Sequence, residues 1–283
     1  MSLLLPYNVT QLKNIAAVTS NLFLIHPAGA AATFYKNFSN SLNVDINIYS
    51  IESPFLFGKY KQIINLQELS LIYFEYIKNI QKKGPYFLGG ASFGGVVAHN
   101  IADILEQSGE EVKCLFMIDS PYLNKNLLCD VKEIEIFAYI FDINLEEIKD
   151  NKFFDLRIIN QIEFLQNTGK YKVLTNFSLS QVYKIFKVTL DNITSLRNHV
   201  PNKINQKILF FKPKFTESLG LPSFLSIRFW QEKTSELLEF EALGNHKSMN
   251  YNPYVTNITQ VLEMFILREI SFNRRNHSCS TSN

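Results

Sequence analysis

The chain has 283 residues, of which 46% are hydrophobic and 19% are charged, a balance typical of a globular protein with a substantial core. Its net charge of +2 gives no sign of the basic surface that nucleic-acid binding requires. Because no run of 18 apolar residues indicates a membrane span and the first residues do not resemble a signal peptide, we expect a cytoplasmic protein.

The cysteines indicate neither a disulfide framework nor a metal site. Cys114, Cys129 and Cys279 are scattered and form no pair or histidine cluster at metal-binding spacing. Free, reduced thiols are therefore expected. We expect no metal and no bound cofactor.

Strand-like and helix-like segments alternate in the first part of the chain. Short apolar runs predict strands, and apolar residues at helical spacing predict helices. The predicted strands are Leu22–Ile25, Ile46–Ile51, Tyr86–Leu88 and Val112–Ile118, and the predicted helices are Leu66–Lys82 and Gly94–Gln107. Such alternation is typical of an α/β protein with a parallel sheet and crossover helices.

The alternation stops after the fourth predicted strand. Residues 124–204, approximately, show a long helical pattern rich in Ile, Leu and Phe, which predicts an inserted helical lid. Two further strands, Lys207–Phe211 and Leu237–Leu243, and a helix, Pro253–Glu269, follow it. We therefore predict one domain over residues 1–283, with its core at about 15–123 and 205–270. Residues 271–283 are expected to form a polar, frayed tail.

A serine lies between two glycines in the sequence Gly90-Ala91-Ser92-Phe93-Gly94. A predicted strand leads into this turn, and a predicted helix leads out of it. So sharp a turn forces the serine into strained backbone torsions, and glycines without Cβ atoms let the turn close. The serine hydroxyl is then exposed at a helix N-terminus, where backbone N–H groups stabilise negative charge. The pattern predicts that Ser92 is a nucleophile.

This turn has two other interpretations besides a nucleophile. One is a glycine-rich turn without chemistry. The other is a phosphopantetheine attachment site, because Leu88-Gly-Gly-Ala-Ser92 is similar to that of carrier proteins. An attachment serine normally follows an acidic residue on a small helical bundle. Here Ala91 precedes the serine and an apolar strand leads in, which argues against attachment.

A serine nucleophile needs a histidine base, and the histidine needs a partner that fixes its tautomer. His246 lies in a turn after the last predicted strand, where an α/β sheet presents its chemistry. His99 lies about two turns into the helix after Ser92, too far along it to return to the serine. Asp119 directly follows the strand Val112–Ile118, beside the nucleophile strand. We predict His246 as the base and Asp119 as the acid, although an aspartate here could also cap the next segment.

An oxyanion formed at Ser92 would need two backbone donors. One is expected to be the N–H of Phe93, directly after the serine. The other is expected in the turn from His26 to Ala30, where Pro27 has no N–H and Ala28 is the better candidate. His26 is then expected to brace this turn instead of transferring protons.

These motifs together resemble the type I thioesterase domain of nonribosomal peptide and polyketide synthases, in the α/β-hydrolase superfamily. The matching stretches are Leu22–Gly29, Gly84–Gly95, Leu115–Pro121 and Gly244–Asn250, and the resemblance covers about residues 15–268. It implies an α/β-hydrolase fold, with a mostly parallel sheet, helices on both faces and an inserted helical lid. The order Ser92, Asp119, His246 is the chain order of this fold.

The position of the acid distinguishes two classes within this family. In chain-releasing domains the acid follows the strand after the nucleophile helix, where Asp119 stands. In stand-alone editing (type II) thioesterases it typically comes shortly before the histidine. The corresponding residues 212–232 contain Glu217 and Glu232 but no aspartate, so the releasing class is favoured.

The resemblance implies a serine thioesterase that acts through an acyl-serine intermediate. Its substrate would be an acyl, peptidyl or polyketide thioester on the phosphopantetheine arm of a carrier protein domain, released by hydrolysis or macrocyclisation. No nucleic-acid or membrane partner is expected. An editing thioesterase, a general carboxyl esterase and a catalytically silent acyl-binding module remain alternatives. The residues also leave open the identity of the acyl chain and whether the chain is an excised synthase domain or a free-standing protein.

Overall fold

The computed structural model describes residues 5–29, 32–56, 65–122, 131–215 and 223–280, and in them seven strands form one sheet. The strands are β1 (Val9–Lys13), β2 (Asn21–Ile25), β3 (Asn47–Ile51), β4 (Tyr86–Ala91), β5 (Val112–Ile118), β6 (Lys207–Pro213) and β7 (Glu236–Ala242). Their order across the sheet is β1-β3-β2-β4-β5-β6-β7. Only the β1–β3 pair is antiparallel among these strands. The mostly parallel sheet predicted from the sequence is confirmed.

Helices cover both faces of this sheet. They are α1 (Lys36–Ser41), α2 (Leu66–Ile80), α3 (Phe93–Gln107), α4 (Glu133–Phe141), α5 (Ile158–Asn167), α6 (Lys172–Thr175), α7 (Leu179–Asn198), α8 (Ser223–Glu232) and α9 (Val255–Ser280). Helices α2 and α3 pack on one face, whereas α1 and α9 pack on the other. None of the helices in the described ranges is long and apolar enough to cross a membrane.

The central strands are mostly apolar because both of their faces are covered. In β2, for example, Phe23 and Ile25 contribute to the core beneath α2 and α3. Leu22 and Leu24, which alternate with them, contribute to the core beneath α1 and α9. Because both faces of these strands are filled by the apolar core, the polar groups of the site lie at the ends of the strands.

The chain between β5 and β6 forms a helical insertion, which we define as α4 to α7 with the two short 3₁₀ helices between α4 and α5. It has a core of its own, and the fully buried members of that core include Phe137, Phe153, Ile162 and Phe186. No strand occurs among the residues described between 131 and 206. The longest of these helices, α7, begins with a capping box in which Ser178 and Gln181 exchange backbone–side-chain hydrogen bonds.

The termini of the fold differ from the sequence-based boundaries. Strand β1 lies before residue 15, where the core was expected to begin, and Asn8 next to it donates a side-chain hydrogen bond to the Glu52 carbonyl (3.0 Å). Residues 271–280, expected to belong to a polar, frayed tail, are part of α9, which continues to Ser280. No glycine or proline interrupts residues 271–280, so the backbone can propagate the helix although the side chains are polar.

Candidate active site

Ser92 lies at the turn between β4 and α3, at the carboxyl edge of the sheet. Its φ of 52° and ψ of −121° are torsions that a non-glycine residue seldom adopts. Its N–H donates to the Ile118 carbonyl of β5 (2.8 Å), and its carbonyl accepts from the Gly95 N–H of α3 (3.1 Å). These bonds hold the half-buried serine in its strained conformation at the helix N-terminus.

The glycines around Ser92 allow backbone segments to approach one another closely. A Cβ atom at Gly90 would lie 2.3 Å from the carbonyl carbon of Gly94, so the turn could not close around it. A Cβ atom at Gly94 would lie 2.1 Å from the Ile25 carbonyl oxygen of β2. Both glycines are therefore needed for packing at the turn.

Asp119 lies beside Ser92 at the same edge of the sheet. Ala91 of β4 pairs with Ile118 of β5, so Ser92 and Asp119 are the next residues on two neighbouring strands. The Asp119 backbone also has a positive φ, of 42°, and its N–H donates to the Phe211 carbonyl of β6 (2.8 Å). Hydrogen bonds to adjacent strands thus position the backbone of both residues.

His246 lies in the loop between β7 and α9, and its ring contacts Asp119. The distance from His246 Nδ1 to Asp119 Oδ2 is 2.7 Å. A carboxylate can only accept a hydrogen bond, so the Nδ1 atom carries the proton and a neutral ring keeps Nε2 as an acceptor. The two side chains are 30% and 15% exposed, so the pair is partly shielded but still accessible from solvent.

The loop that carries His246 is held by hydrogen bonds between its own residues. The Asn245 N–H donates to Ser248 Oγ, and the Ser248 N–H donates to Asn245 Oδ1, both at 2.9 Å. Gly244 has a φ of 91°, and a Cβ atom there would lie 2.7 Å from Ser248 Oγ. The histidine is therefore presented by a compact turn that requires the glycine.

Glu232, one of the two glutamates between β6 and β7 noted in the sequence, does not join this pair. Glu232 ends α8, and the carbonyl of the next residue, Lys233, accepts from the Ile204 N–H just before β6 (3.1 Å). This places Glu232 at the amino edge of the sheet, opposite Ser92. Glu217 lies outside the described residues.

The two expected oxyanion donors follow neighbouring strands, Phe93 after β4 and Ala28 after β2. Phe93 is buried, and as the first residue of α3 its N–H has no helical carbonyl partner at i−4. Ala28 follows β2, the strand next to β4, and is half-buried. Its carbonyl accepts a hydrogen bond from the side-chain amide of Asn192 in α7.

His26 is fully buried behind the turn that carries Ala28. Its Nδ1 lies 2.6 Å from the Pro27 carbonyl, which only accepts, so Nδ1 donates. Its Nε2 lies 2.7 Å from the Tyr73 hydroxyl and accepts from it. Burial lowers the pKa of His26 to about 4, so the ring is neutral at pH 7. With both ring nitrogens engaged, His26 links the turn to α2.

Three residues that contact the site were missed by the sequence analysis. Tyr35 accepts from the Ala91 N–H (2.8 Å) and donates to the Ile25 carbonyl (2.6 Å), joining the ends of β4 and β2. Asn192 and Lys247 connect the site to the helical insertion: Lys247 Nζ lies 3.1 Å from Asp142 Oδ1 at the end of α4. Tyr35 and Asn192 belong to no recognisable motif, and the matching stretch Gly244–Asn250 contains Lys247 without indicating its contact. No local pattern could have identified contacts between residues so distant in the chain.

Comparison with known proteins identifies the family of this chain. The model of the family described as "Thioesterase domain" matches residues 20–203. A non-reducing polyketide synthase of Cladonia grayi is 41% identical over 100 residues, which are 35% of this chain and 5% of the synthase. The chain therefore spans a small part of this relative.

Solved structures share the fold at low sequence identity. A four-domain nonribosomal peptide synthetase bound to AMP and glycine matches with a TM-score of 0.77 and 24% identity, over 92% of this chain and 20% of that one. The NocB thioesterase domain in covalent complex with a fluorophosphonate nocardicin G analogue matches with a TM-score of 0.68 and 18% identity. This match covers 91% of this chain and 99% of the NocB domain. These likenesses confirm the α/β-hydrolase fold. With the family model matching most of its length, the chain belongs to the thioesterase domain family.

Proposed function

We propose that the protein is a serine thioesterase that releases an acyl, peptidyl or polyketide chain from the phosphopantetheine arm of a carrier protein. The observation that carries the proposal is the 2.7 Å contact between His246 Nδ1 and Asp119 Oδ2, beside a serine held at positive φ on a strand–helix turn. Family membership and the synthase relatives support thioesters as the substrate class.

In the proposed reaction, Nε2 of His246 takes the proton of Ser92 as its Oγ attacks the thioester carbonyl. Asp119 keeps the histidine in the required tautomer and stabilises the imidazolium that forms. The Phe93 and Ala28 N–H groups bind the negatively charged oxygen of the tetrahedral intermediate. Removal of one such donor typically lowers the rate by roughly 10²–10³-fold, so these amides contribute substantially.

Collapse of this intermediate expels the thiol of the carrier arm and leaves an ester on Ser92. His246, now protonated, supplies the proton that the leaving thiolate needs. Water or a nucleophile within the acyl chain then attacks the ester, giving a free acid or a macrocycle. We assign the helical insertion the role of a lid that shields this ester from bulk water.

The experiment that tests the proposal measures two reactions, each with and without the purified protein. They are hydrolysis of an acyl chain on a carrier protein and hydrolysis of a p-nitrophenyl ester of the same acyl group. We expect carrier-bound thioester to be the better substrate. Preference for the oxygen ester would instead indicate a general carboxyl esterase. No rate above background with either substrate would indicate an acyl-binding module.

The matched variants for this experiment are Ser92→Ala and Ser108→Ala. Ser92→Ala removes the proposed nucleophile, so turnover should fall to background. Ser108 is the C-cap of α3, at the other end of the same helix, and its hydroxyl donates only to the Ile104 carbonyl (2.8 Å) in the described structure. Ser108→Ala should retain the wild-type rate, which controls for the general effect of losing a hydroxyl.

A further inference from the structure

Ala28, the proposed second oxyanion donor, sits between two peptide units whose carbonyls are both held by side chains. The first unit joins the Pro27 carbonyl to the Ala28 N–H, and the second begins at the Ala28 carbonyl. In a trans peptide unit the C=O and N–H bonds point in opposite directions. Fixing the Pro27 carbonyl therefore fixes the direction of the Ala28 N–H. Fixing the Ala28 carbonyl holds the chain on the other side of the Ala28 Cα atom, so that the first unit cannot shift.

His26 holds the first of these two units. Its Nδ1–H donates to the Pro27 carbonyl at 2.6 Å, and its Nε2 is held by the Tyr73 hydroxyl. A hydrogen bond to the carbonyl also polarises the amide, which makes the N–H at the other end of the unit a stronger donor. His26, which belongs to the core of the fold, thus fixes the plane of the first peptide unit.

The second unit is held by the helical insertion. The side-chain amide of Asn192, in α7, donates to the Ala28 carbonyl. Asn192 is fully buried, and its Oδ1 has no hydrogen-bond partner among the described residues. A buried acceptor without a partner destabilises a fold. A leucine of similar size would fill the same space without this destabilisation. Packing alone gives no reason for an amide at this position.

The next residue, Gly29, allows α7 to approach the turn closely. A Cβ atom at Gly29 would lie 2.5 Å from Thr189 Oγ1, one helical turn before Asn192. Thr189 Oγ1 is itself fixed, because it donates to the Ile185 carbonyl (2.8 Å). How closely α7 packs against the turn therefore determines whether the Asn192 side chain reaches the Ala28 carbonyl.

We propose that Asn192 is a positioning residue for the oxyanion site, acting through the Ala28 peptide, so that catalysis requires α7 to be seated on this turn. The proposal rests on the proposed function. It links the helical insertion to the chemical step and not only to access. When α7 moves away, the turn is held on one side of Ala28 only, the Ala28 N–H is no longer kept in place, and stabilisation of the tetrahedral intermediate falls.

The test uses the full chain with Asn192→Leu, which removes the donor and keeps the volume. Asn192→Asp is the second variant, since it keeps the shape but places an oxygen against the Ala28 carbonyl. Ser195→Ala is the control. Ser195 lies in the same helix and is buried, and among the described residues its hydroxyl donates to the Asn192 carbonyl (2.7 Å) and not to the turn. The measurements are kcat and KM for a short acyl N-acetylcysteamine thioester, inhibition by an alkylboronic acid, and the melting temperature.

Both Asn192 variants should lower kcat by roughly 10–100-fold with little change in KM, because a misdirected donor affects the transition state more than substrate binding. The boronic acid forms a tetrahedral anion on serine, so its inhibition should weaken by a similar factor. Ser195→Ala should retain kcat and boronate inhibition even where its melting temperature falls as much as that of the Asn192 variants.

Three results would overturn the proposal: a kcat for Asn192→Leu within twofold of the control, an effect confined to KM, or a loss of kcat with unchanged boronate inhibition. Failure of the proposed function is a separate outcome, because the wild-type protein would then lack thioester turnover. If Asn192→Leu does not fold, Asn192→Asp decides by the same three measurements.

Discussion

At the residue scale, two of the four non-glycine residues with positive φ in the described structure lie at the adjacent strand ends that carry the proposed nucleophile and acid. Ser92 and Asp119 both have positive φ, at 52° and 42°. Such conformations cost on the order of 1–3 kcal/mol each and persist only where the surroundings enforce them. Here the next strand enforces them, because each residue's N–H donates to a carbonyl on the neighbouring strand. The strain orients both side chains toward the same edge.

Asp119→Asn tests the acid at this scale. The carboxamide can present its N–H₂ group to the ring, which favours the tautomer with the proton on Nε2 and leaves no base for Ser92. We expect kcat to fall by roughly 10³–10⁴-fold with the fold intact, as measured by thioester turnover and circular dichroism. A rate near that of the wild type would show that another residue, such as Glu217, serves as the acid.

Gly94→Ala tests the close approach between α3 and β2. The added methyl would lie 2.1 Å from a backbone oxygen, which cannot move without displacing β2. We expect a loss of about 3 kcal/mol or more in the free energy of unfolding, measured by urea denaturation. Gly109→Ala is the control, because its methyl would meet nothing within 4 Å and only its φ of 73° opposes it, at about 1 kcal/mol. Equal losses in the two variants would contradict the packing argument.

At the element scale, Tyr35 connects the strand ends that carry the proposed oxyanion turn and nucleophile. Its buried hydroxyl bridges the Ile25 carbonyl and the Ala91 N–H, and burial raises the pKa of the phenol. No motif marks this tyrosine. Its contribution depends on a fold in which β2 and β4 are neighbours.

Tyr35→Phe removes this bridge without changing the packed volume. We expect it to lower the free energy of unfolding by about 1–3 kcal/mol, since two backbone groups lose a buried partner, and to lower kcat as the two turns loosen. Tyr86→Phe is the matched control, because Tyr86 begins β4 and its hydroxyl donates to the Gln81 carbonyl (2.9 Å) far from the site. If Tyr35→Phe altered stability but kept the control's kcat, the bridge would be structural only.

Much of the sheet could be predicted because its central strands are buried on both faces and therefore read as apolar runs. β2, β3, β5 and β6 begin within a residue of their predicted positions. Strand β1 was missed because an edge strand with a mixed pattern, Val-Thr-Gln-Leu-Lys, has no such signal. Helix α8 was missed because the charged residues and proline before it indicate a loop.

The contact between Asp119 and His246 was predicted from strand order, since both residues follow strands that end at one edge. The Asn192 contact was not, because it joins residues 164 positions apart and depends on how α7 seats on the turn. Parallel-sheet topology fixes where strand ends meet, whereas the docking of an inserted helix follows from packing that no short pattern encodes.

At the scale of the whole molecule, two buried histidines and the half-buried His199 make stability depend on pH. Burial lowers the pKa of His26, His99 and His199 to about 4, whereas an unfolded histidine titrates near 6.5. Between these values the unfolded chain binds protons that the folded protein excludes. Stability from this source is therefore complete above pH 6.5 and is lost as the pH falls toward 4.

Urea denaturation at pH 7, 6, 5 and 4.5 should show this decline. The free energy of unfolding should fall by up to about 3 kcal/mol for each fully buried histidine ring. His99, which packs against Trp230 with ring centroids 4.9 Å apart, is suited to a test because it lies away from the site. His99→Gln should reduce the slope of the free energy of unfolding against pH by the contribution of about one proton. An unchanged slope would show that carboxylates and not histidines dominate the acid response.

The central claim is that Ser92, activated through His246 and Asp119, receives the acyl chain. The most direct test is intact-mass spectrometry after mixing with an acyl thioester and rapid acid quench, with the modified peptide mapped by fragmentation. The account predicts one added acyl group on Ser92, its accumulation lost in Ser92→Ala and strongly slowed in Asp119→Asn. An adduct mapped to another residue, or one that persists in Ser92→Ala, would contradict it.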